Sequence, residues 1–301
     1  MPQQPAYLGI RSIIETPLLD ERKWGKIPGI PADAIFIDLE DSLPPARKEE
    51  GRARAVQVLG DPGYFGGRVT ISRPNALDTP WGRDDIQALS EAGVTCVALP
   101  KLRTADELLE AQELFRAAGA DPDIFAIVET AQAVLEVRSI AAAEKVVAIM
   151  FGAGDLSVDS SIPLLGPDTE LNPAMITAKV QAVLAGSAFG RLTTDIAFLP
   201  DIRDLSETRR RYGQSRLIGF TAGVTFYPPH VEIINEIFGP SKADIDDAEL
   251  VISAYETALA AGNPAVQLDG GRVLLVHDYD KALKVRERAA AVASVASVVK
   301  A

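Results

Sequence analysis

Cysteine and histidine are nearly absent: one Cys, Cys96, and two His, His230 and His277, in 301 residues. A lone cysteine excludes an internal disulfide, and its place in the apolar run Val94–Leu99 marks it as a buried reduced thiol. Without a His/Cys cluster, zinc is not expected. Basic residues are also short, 30 Lys and Arg against 42 Asp and Glu, for a net charge of -12. With no basic patch to neutralise phosphates, nucleic acid is not expected as a partner. No apolar run approaches the roughly 18 residues of a membrane span. The opening MPQQPAYLG has neither a basic n-region nor an apolar h-region, so a cytoplasmic enzyme or subunit is expected rather than a secreted one. No glycine-rich phosphate fingerprint follows the first apolar segment, which counts against an open dinucleotide-binding sheet.

What remains is an ordinary globular composition, 47% hydrophobic and 24% charged. Short β-branched runs alternate with amphipathic stretches of helical length. The expected strands are Tyr7–Ile13, Ala34–Leu39, Arg68–Ser72, Val94–Leu99, Ile124–Val128, Val146–Phe151, Thr193–Phe198 and Ala222–Phe226. Helical stretches such as Arg47–Leu59, Asp84–Ala92, Ala105–Ala118, Gln132–Ala142 and Pro173–Phe189 separate them. Near-continuous apolar strands between helices predict a parallel sheet covered on both faces. Eight such units predict an α/β fold, a (β/α)8 TIM barrel over residues 1–240. Residues 241–301 read differently: a helix over Ser241–Gly262, a hairpin signal around Asp269-Gly270-Gly271, and a final helix over Asp278–Lys300. A barrel needs no such piece, so it is expected to pack on the barrel mouth or on a neighbouring subunit.

Chemistry in a barrel belongs at the C-terminal ends of the strands. The polar residues expected there are Arg11, Asp38, Glu40, Asp41, Arg73, Asn75, Lys101, Glu129, Thr130, Asp155 and Asp195. The segment IFIDLEDSLPP at 35–45 stands out, because carboxylates gathered where a buried strand ends are costly unless a cation or a catalytic task holds them. Glu129 and Asp155, on adjacent strand ends, are natural ligands for one hard divalent ion, and Mg²⁺ suits few carboxylates plus water and substrate oxygens. Arg73 can grip a substrate carboxylate bidentately or pair with Glu40 and Asp41. Lys101 is expected as a partner for a carboxylate more than as a Schiff-base nucleophile. Both histidines come late in the chain and are expected to be structural.

Taken together, the strings ADAIFIDLEDSLPPARKEEGR at 33–52, RPNALDTPWG at 73–82, LPK at 99–101, IVET at 127–130, FGAGDLS at 151–157 and NEIFGPS at 235–241 resemble the HpcH/HpaI aldolase/citrate lyase β-subunit family, on its CitE-like side. Arg11-Ser12 with Pro17 and the Lys26-Ile27-Pro28 string belong to the same pattern. The resemblance implies a Mg²⁺-dependent barrel that makes or breaks a carbon–carbon bond in 3-hydroxy-acyl thioesters such as malyl-, citramalyl- or citryl-CoA. It implies Glu129 and Asp155 as metal ligands, with Glu40 and Asp41 holding metal-bound water. It further implies Arg73 and the backbone amides of Ala153 and Gly154 as the grip on an oxo-acid carboxylate, and association as a homotrimer.

Four positions depart from the family pattern. Leu18 follows Pro17 where a glycine is usual, and Ala222-Gly223 stands in place of Gly-Lys. Phe226-Tyr227-Pro228 replaces Ile-His-Pro, and Val273-Leu274-Leu275 occupies the place of an Asp lent to a neighbour's active site. The metal half of the pattern is intact, while the thioester and proton-transfer half is altered. Loss of the Asp argues against condensation followed by thioester hydrolysis. The expectation is therefore a carbon–carbon lyase; a CoA-independent aldolase for pyruvate- or glyoxylate-derived acids and a non-catalytic metabolite-binding homologue are the alternatives.

Overall fold

The computed structural model describes residues 5–263, 265–268 and 270–300. In chain order, its first elements are α1 (Pro5–Leu8), β1 (Ser12–Glu15), α2 (Glu21–Trp24), β2 (Ala34–Asp38), α3 (Lys48–Leu59), β3 (Val69–Arg73), α4 (Gly82–Glu91) and β4 (Cys96–Leu99). There follow α5 (Ala105–Ala117), β5 (Asp123–Val128), α6 (Ala131–Ala142), β6 (Val146–Phe151), α7 (Ala153–Ser160), α8 (Pro173–Ala188) and β7 (Leu192–Asp195). The chain ends with α9 (Leu205–Ile218), β8 (Ala222–Thr225), α10 (His230–Phe238), α11 (Lys242–Ala260), β9 (Val266–Gln267), β10 (Val273–Leu274) and α12 (Val276–Lys300).

β1 to β8 pair in parallel, each with the next, and β8 closes on β1, making a (β/α)8 barrel. The closure follows from the side chains. Every residue of β2, β4, β6, β7 and β8 is buried, so both faces of these strands need cover. Alternate residues divide between two cores. Ile13, Phe36, Ile71, Ala98, Ile127, Met150 and Val224 fill the barrel interior, while Ile14, Ile35, Ile37, Val128 and Ile149 meet the helices outside. Cys96 lies in the interior cluster, and burial raises its thiol pKa, which fits an inert reduced side chain.

The first strand starts later than its apolar run suggests. Tyr7 belongs to α1, and the Ile10 amide donates to the Tyr7 carbonyl to close a turn. Arg11 is then held by Asp33, which accepts from both its amide and its guanidinium at 2.8 Å. Arg11 therefore belongs to the N-terminal end of β1, away from the mouth, and Glu15 takes the strand's C-terminal end.

The segment after residue 240 forms its own small core of Val251, Ile252, Tyr255 and Leu274, with β9 and β10 as an antiparallel pair. Asp269 of the expected turn lies outside the described residues. Within the chain, α12 packs beneath the barrel rather than over its mouth. Arg288 Nη2 donates to the carbonyls of Ile10 at 2.9 Å and Thr221 at 2.8 Å, both preceding strands of the barrel. Gly9 allows the approach: a Cβ there would fall 2.4 Å from the Ala291 carbonyl oxygen. Among the described residues, no helix is long and apolar enough to cross a membrane.

Candidate active site

The strand ends at the mouth bring seven charged side chains together. Arg73, at the end of β3, sends Nε to Asp38 at 2.6 Å and Nη1 to Glu40 at 3.1 Å and Asp41 at 3.5 Å. Burial would raise the Asp38 pKa, but the Arg73 bond outweighs it and holds that carboxyl low. Glu40 fares differently: burial pushes it up to about 8 despite Arg73. Its buried Oε2 is the atom that Arg73 Nη1 approaches, an ion pair without an aligned hydrogen bond among the described residues, so it keeps room for a further donor.

Beside this group, Lys101 Nζ lies 2.6 Å from Asp155, 3.8 Å from Glu129 and 3.9 Å from Glu40. Lys101 adopts a left-handed backbone, φ 54°, unusual for a side chain of its size. That conformation also aims its amide at Glu129 Oε1, a 2.7 Å bond. Burial pulls the lysine pKa down, but the Glu129, Asp155 and Glu40 carboxylates win and raise it. Burial pushes Glu129 up to about 7, against the pull of Lys101. Three carboxylates thus converge on one position that needs a positive charge, and the ammonium group supplies it.

That convergence bears on a metal. Among the described residues, no group of three or more carboxylate, imidazole or thiol ligands is arranged to hold an ion. The donor set still fits Mg²⁺ in character, being hard oxygens around a cationic position next to a cavity. Gly152 tightens the fit: a Cβ there would fall 2.6 Å from Glu129 Cβ and 2.7 Å from its Oε2. Gly152→Ala should therefore push Glu129 aside. It is expected to cost about 10²-fold in turnover, the usual penalty for misplacing a reacting group by about 1 Å. Steady-state rates read alongside thermal unfolding check this, and an unchanged rate would count against any role for Glu129.

The cavity itself encloses about 380 Å³. Glu15, Arg73, Asp41, Glu129 and Asp155 form its polar side. Ile196, Phe198, Leu199 and Ile202 from the β7–α9 loop, with Val224 and Phe226, form an apolar side. Ala153 and Gly154 lie in the first turn of α7, where backbone amides have no partner within the helix.

Other expected site residues are placed elsewhere. Asn75 joins Lys48 and Asp85 in a buried network. Thr130 caps α6 and donates to the Leu102 carbonyl. Asp195 is wholly buried against Lys179 and Ser215. Of the family departures, Leu18 is fully buried. Gly223 packs against Tyr212, which a Cβ would meet at 2.8 Å. Tyr227 stands edge-on to His230 with centroids 5.0 Å apart, and Leu275 is exposed.

Two acid or imidazole side chains of the cavity were not among those expected. His230 lines the cavity, yet its Nδ1 engages Thr225 at 2.9 Å and its Nε2 meets the Ile202 carbonyl at 2.7 Å, so it acts as a fastener for the β8 and β7–α9 loops. Burial lowers its pKa. Glu15 is the other; the displaced start of β1 hid it.

With the geometry in hand, comparison with known proteins identifies the lineage. The HpcH/HpaI aldolase/citrate lyase family model matches residues 16–228. The chain belongs to that family. A (3S)-malyl-CoA thioesterase of Cereibacter sphaeroides is 33% identical over 267 residues, covering 89% of this chain and 90% of that protein. The citrate lyase subunit beta of Escherichia coli is 28% identical over 251 residues, 81% of each. Among solved structures, the CitE protein of Mycobacterium tuberculosis in complex with magnesium, acetoacetate and coenzyme A superposes with a TM-score of 0.76 at 26% identity, covering 93% of this chain and 97% of that one.

Proposed function

We propose that this chain is a Mg²⁺-dependent carbon–carbon lyase that cleaves a 3-hydroxy-acyl-CoA of the malyl-, citramalyl- or citryl-CoA type into an oxo-acid and an acyl-CoA. The carrying observation is the convergence of Glu129, Asp155 and Glu40 on one cationic position beside Arg73. The relative solved with magnesium, acetoacetate and coenzyme A supports the reading.

In this reading Glu129 and Asp155 would hold the ion in the position whose charge Lys101 now balances, and Glu40 and Asp41 would orient its water. Bound Mg²⁺ supplies Lewis-acid polarisation of the substrate's oxygens. Arg73 keeps its Nη2 free of hydrogen bonds among the described residues, so it can take one substrate carboxylate. The α7 amides of Ala153 and Gly154 complete that grip. The apolar wall of Phe198, Leu199 and Phe226 shields the acyl half from water. A cytoplasmic homotrimer, with the extension meeting a neighbour, completes the proposal.

Excess EDTA should abolish cleavage, and added Mg²⁺ should restore it. The products decide the reaction type: a lyase releases oxo-acid with no free thiol, whereas hydrolysis, the activity named for the Cereibacter relatives, releases the CoA thiol. Full activity in EDTA, or thiol without oxo-acid, would overturn the proposal.

The second reading, an aldolase for free hydroxy acids, is favoured by Gly223, where Tyr212 leaves no room for a side chain and hence for a cation. Calorimetry with acetyl-CoA separates the two. Micromolar binding is expected for the thioester route, and no binding would favour the free-acid route.

A further inference from the structure

Glu15 closes β1 with its side chain turned into the barrel. The alternation sets this: Ile14 joins the outer core and Ser12 bonds Asn235 of α10, while Ile13 lies in the interior cluster. Its register partner on β2, Phe36, is also interior, and the Arg73 guanidinium lies 5.5 Å from the Phe36 ring. Glu15 thus forms part of the cavity floor beside Arg73.

Charge balance does not explain a carboxylate there. Arg73 already meets Asp38, Glu40 and Asp41, and Glu15 makes no side-chain hydrogen bond among the described residues. A half-buried acid with no hydrogen-bond partner costs stability, and such groups concentrate where chemistry needs them. The other groups are placed less well for moving a proton: His230 is bonded at both ring nitrogens, Tyr227 is not among the residues lining the cavity, and Glu40 is paired with Arg73 and assigned to metal-bound water in the reading above.

We propose that Glu15 is the proton-transfer residue of the cleavage reaction, an inference that rests on the lyase reading above. The Glu15 carboxylate takes the proton of the substrate's 3-hydroxyl. The O–H electron pair becomes the carbonyl bond of the oxo-acid as the carbon–carbon bond breaks. The pair from that bond passes to the acyl-CoA as its enolate. Glu15 then returns the proton to the enolate carbon, giving the acyl-CoA and restoring the carboxylate, so no outside acid, base or oxidant is needed.

The surroundings suit a shuttle. Burial, reinforced by Asp38 and opposed by Arg73, pushes Glu15 up to about 7, with Asp41 adding slightly to the rise. The charged groups facing it are therefore Asp38 and Asp41 from the β2 end and Arg73 from β3. The base form is needed to start the reaction, so kcat/KM should fall as the pH drops below about 7.

The test uses the full-length protein with Mg²⁺ and a panel of malyl-, citramalyl- and citryl-CoA. Glu15→Gln is expected to lower kcat by about 10²–10⁴-fold and to remove the acid limb of the pH profile. Binding of Mg²⁺ and of glyoxylate, read by calorimetry, should stay within about twofold of wild type, and Glu15→Asp should recover part of the rate. A Glu15→Gln enzyme with wild-type kcat and an unchanged acid limb overturns the assignment while leaving the lyase reading standing. Loss of Mg²⁺ or glyoxylate binding in step with kcat also overturns it, by making Glu15 structural. Wild-type protein that cleaves none of the thioesters removes the lyase reading and this one with it.

Discussion

Asp155→Ala is expected to lower turnover by at least about 10³-fold, roughly 4 kcal/mol of barrier, while the protein stays folded. Asp155 is the cleaner of the two candidate ligands to remove. Its side chain is 43% exposed in the first turn of α7, and its one ion pair among the described residues is with Lys101. Removing it strands no charge, because Lys101 keeps Glu129 and Glu40 within 4 Å and is itself 29% exposed. The helix loses a favourable acid near its N-terminus, worth at most about 1 kcal/mol. The expected signature is therefore a large loss of Mg²⁺ affinity and rate with a nearly unchanged melting temperature. Glu129→Ala should cost as much in rate but more in stability, since the Lys101 amide loses its acceptor. Mg²⁺ calorimetry, initial rates and thermal unfolding on the same preparations measure all three quantities. Wild-type turnover in Asp155→Ala would dismiss the metal assignment.

The barrel was legible because its strands are buried on both faces, and continuous apolar runs such as Ala34–Leu39 and Val146–Phe151 have few other uses. The acidic site was legible for a related reason: carboxylates placed directly after such runs must emerge at the mouth. Where the reading failed, local chemistry was decided by partners far off in sequence. The pairing of Arg11 with Asp33 and the turn closed by Tyr7 moved the first strand by several residues, which swapped Arg11 for Glu15 at the mouth. Asp195 lies at the strand end, but a lysine 16 residues earlier claims it. His230 looked remote because it follows β8, yet the loop turns it back onto Thr225 and into the cavity wall. Apolar loop residues such as Phe198 and Leu199 carry no signal that separates a cavity lining from a strand, and the expected Thr193–Phe198 strand stops at Asp195 for that reason.

The Lys179–Asp195 pair carries the largest expected effect on stability. Lys179 is 1% exposed on α8 and Asp195 is 0% exposed at the end of β7, with Nζ at 2.8 and 2.6 Å from the two carboxylate oxygens. Ser215 of α9 donates to the same carboxylate, and the ammonium lies 5.6 Å from the Phe151 ring and 5.7 Å from that of Phe220. One pair therefore ties two helices to the strand that leads into the apolar cavity wall. Lys179→Met keeps most of the side-chain volume and leaves Asp195 buried without its cation. Breaking a buried pair on one side costs about 3–5 kcal/mol, which for a domain of this size lowers the melting temperature by on the order of 10 °C. Removing both charges should cost far less, because the expense lies in the stranded carboxylate and not in the lost attraction. Lys179→Met with Asp195→Asn is accordingly expected to recover more than half of the loss. Calorimetric unfolding of the two single variants and the double variant measures the coupling directly. A single variant within about 1 kcal/mol of wild type would mean that water or a rearranged Ser215 satisfies Asp195, and that the pair is no more than a surface-strength contact.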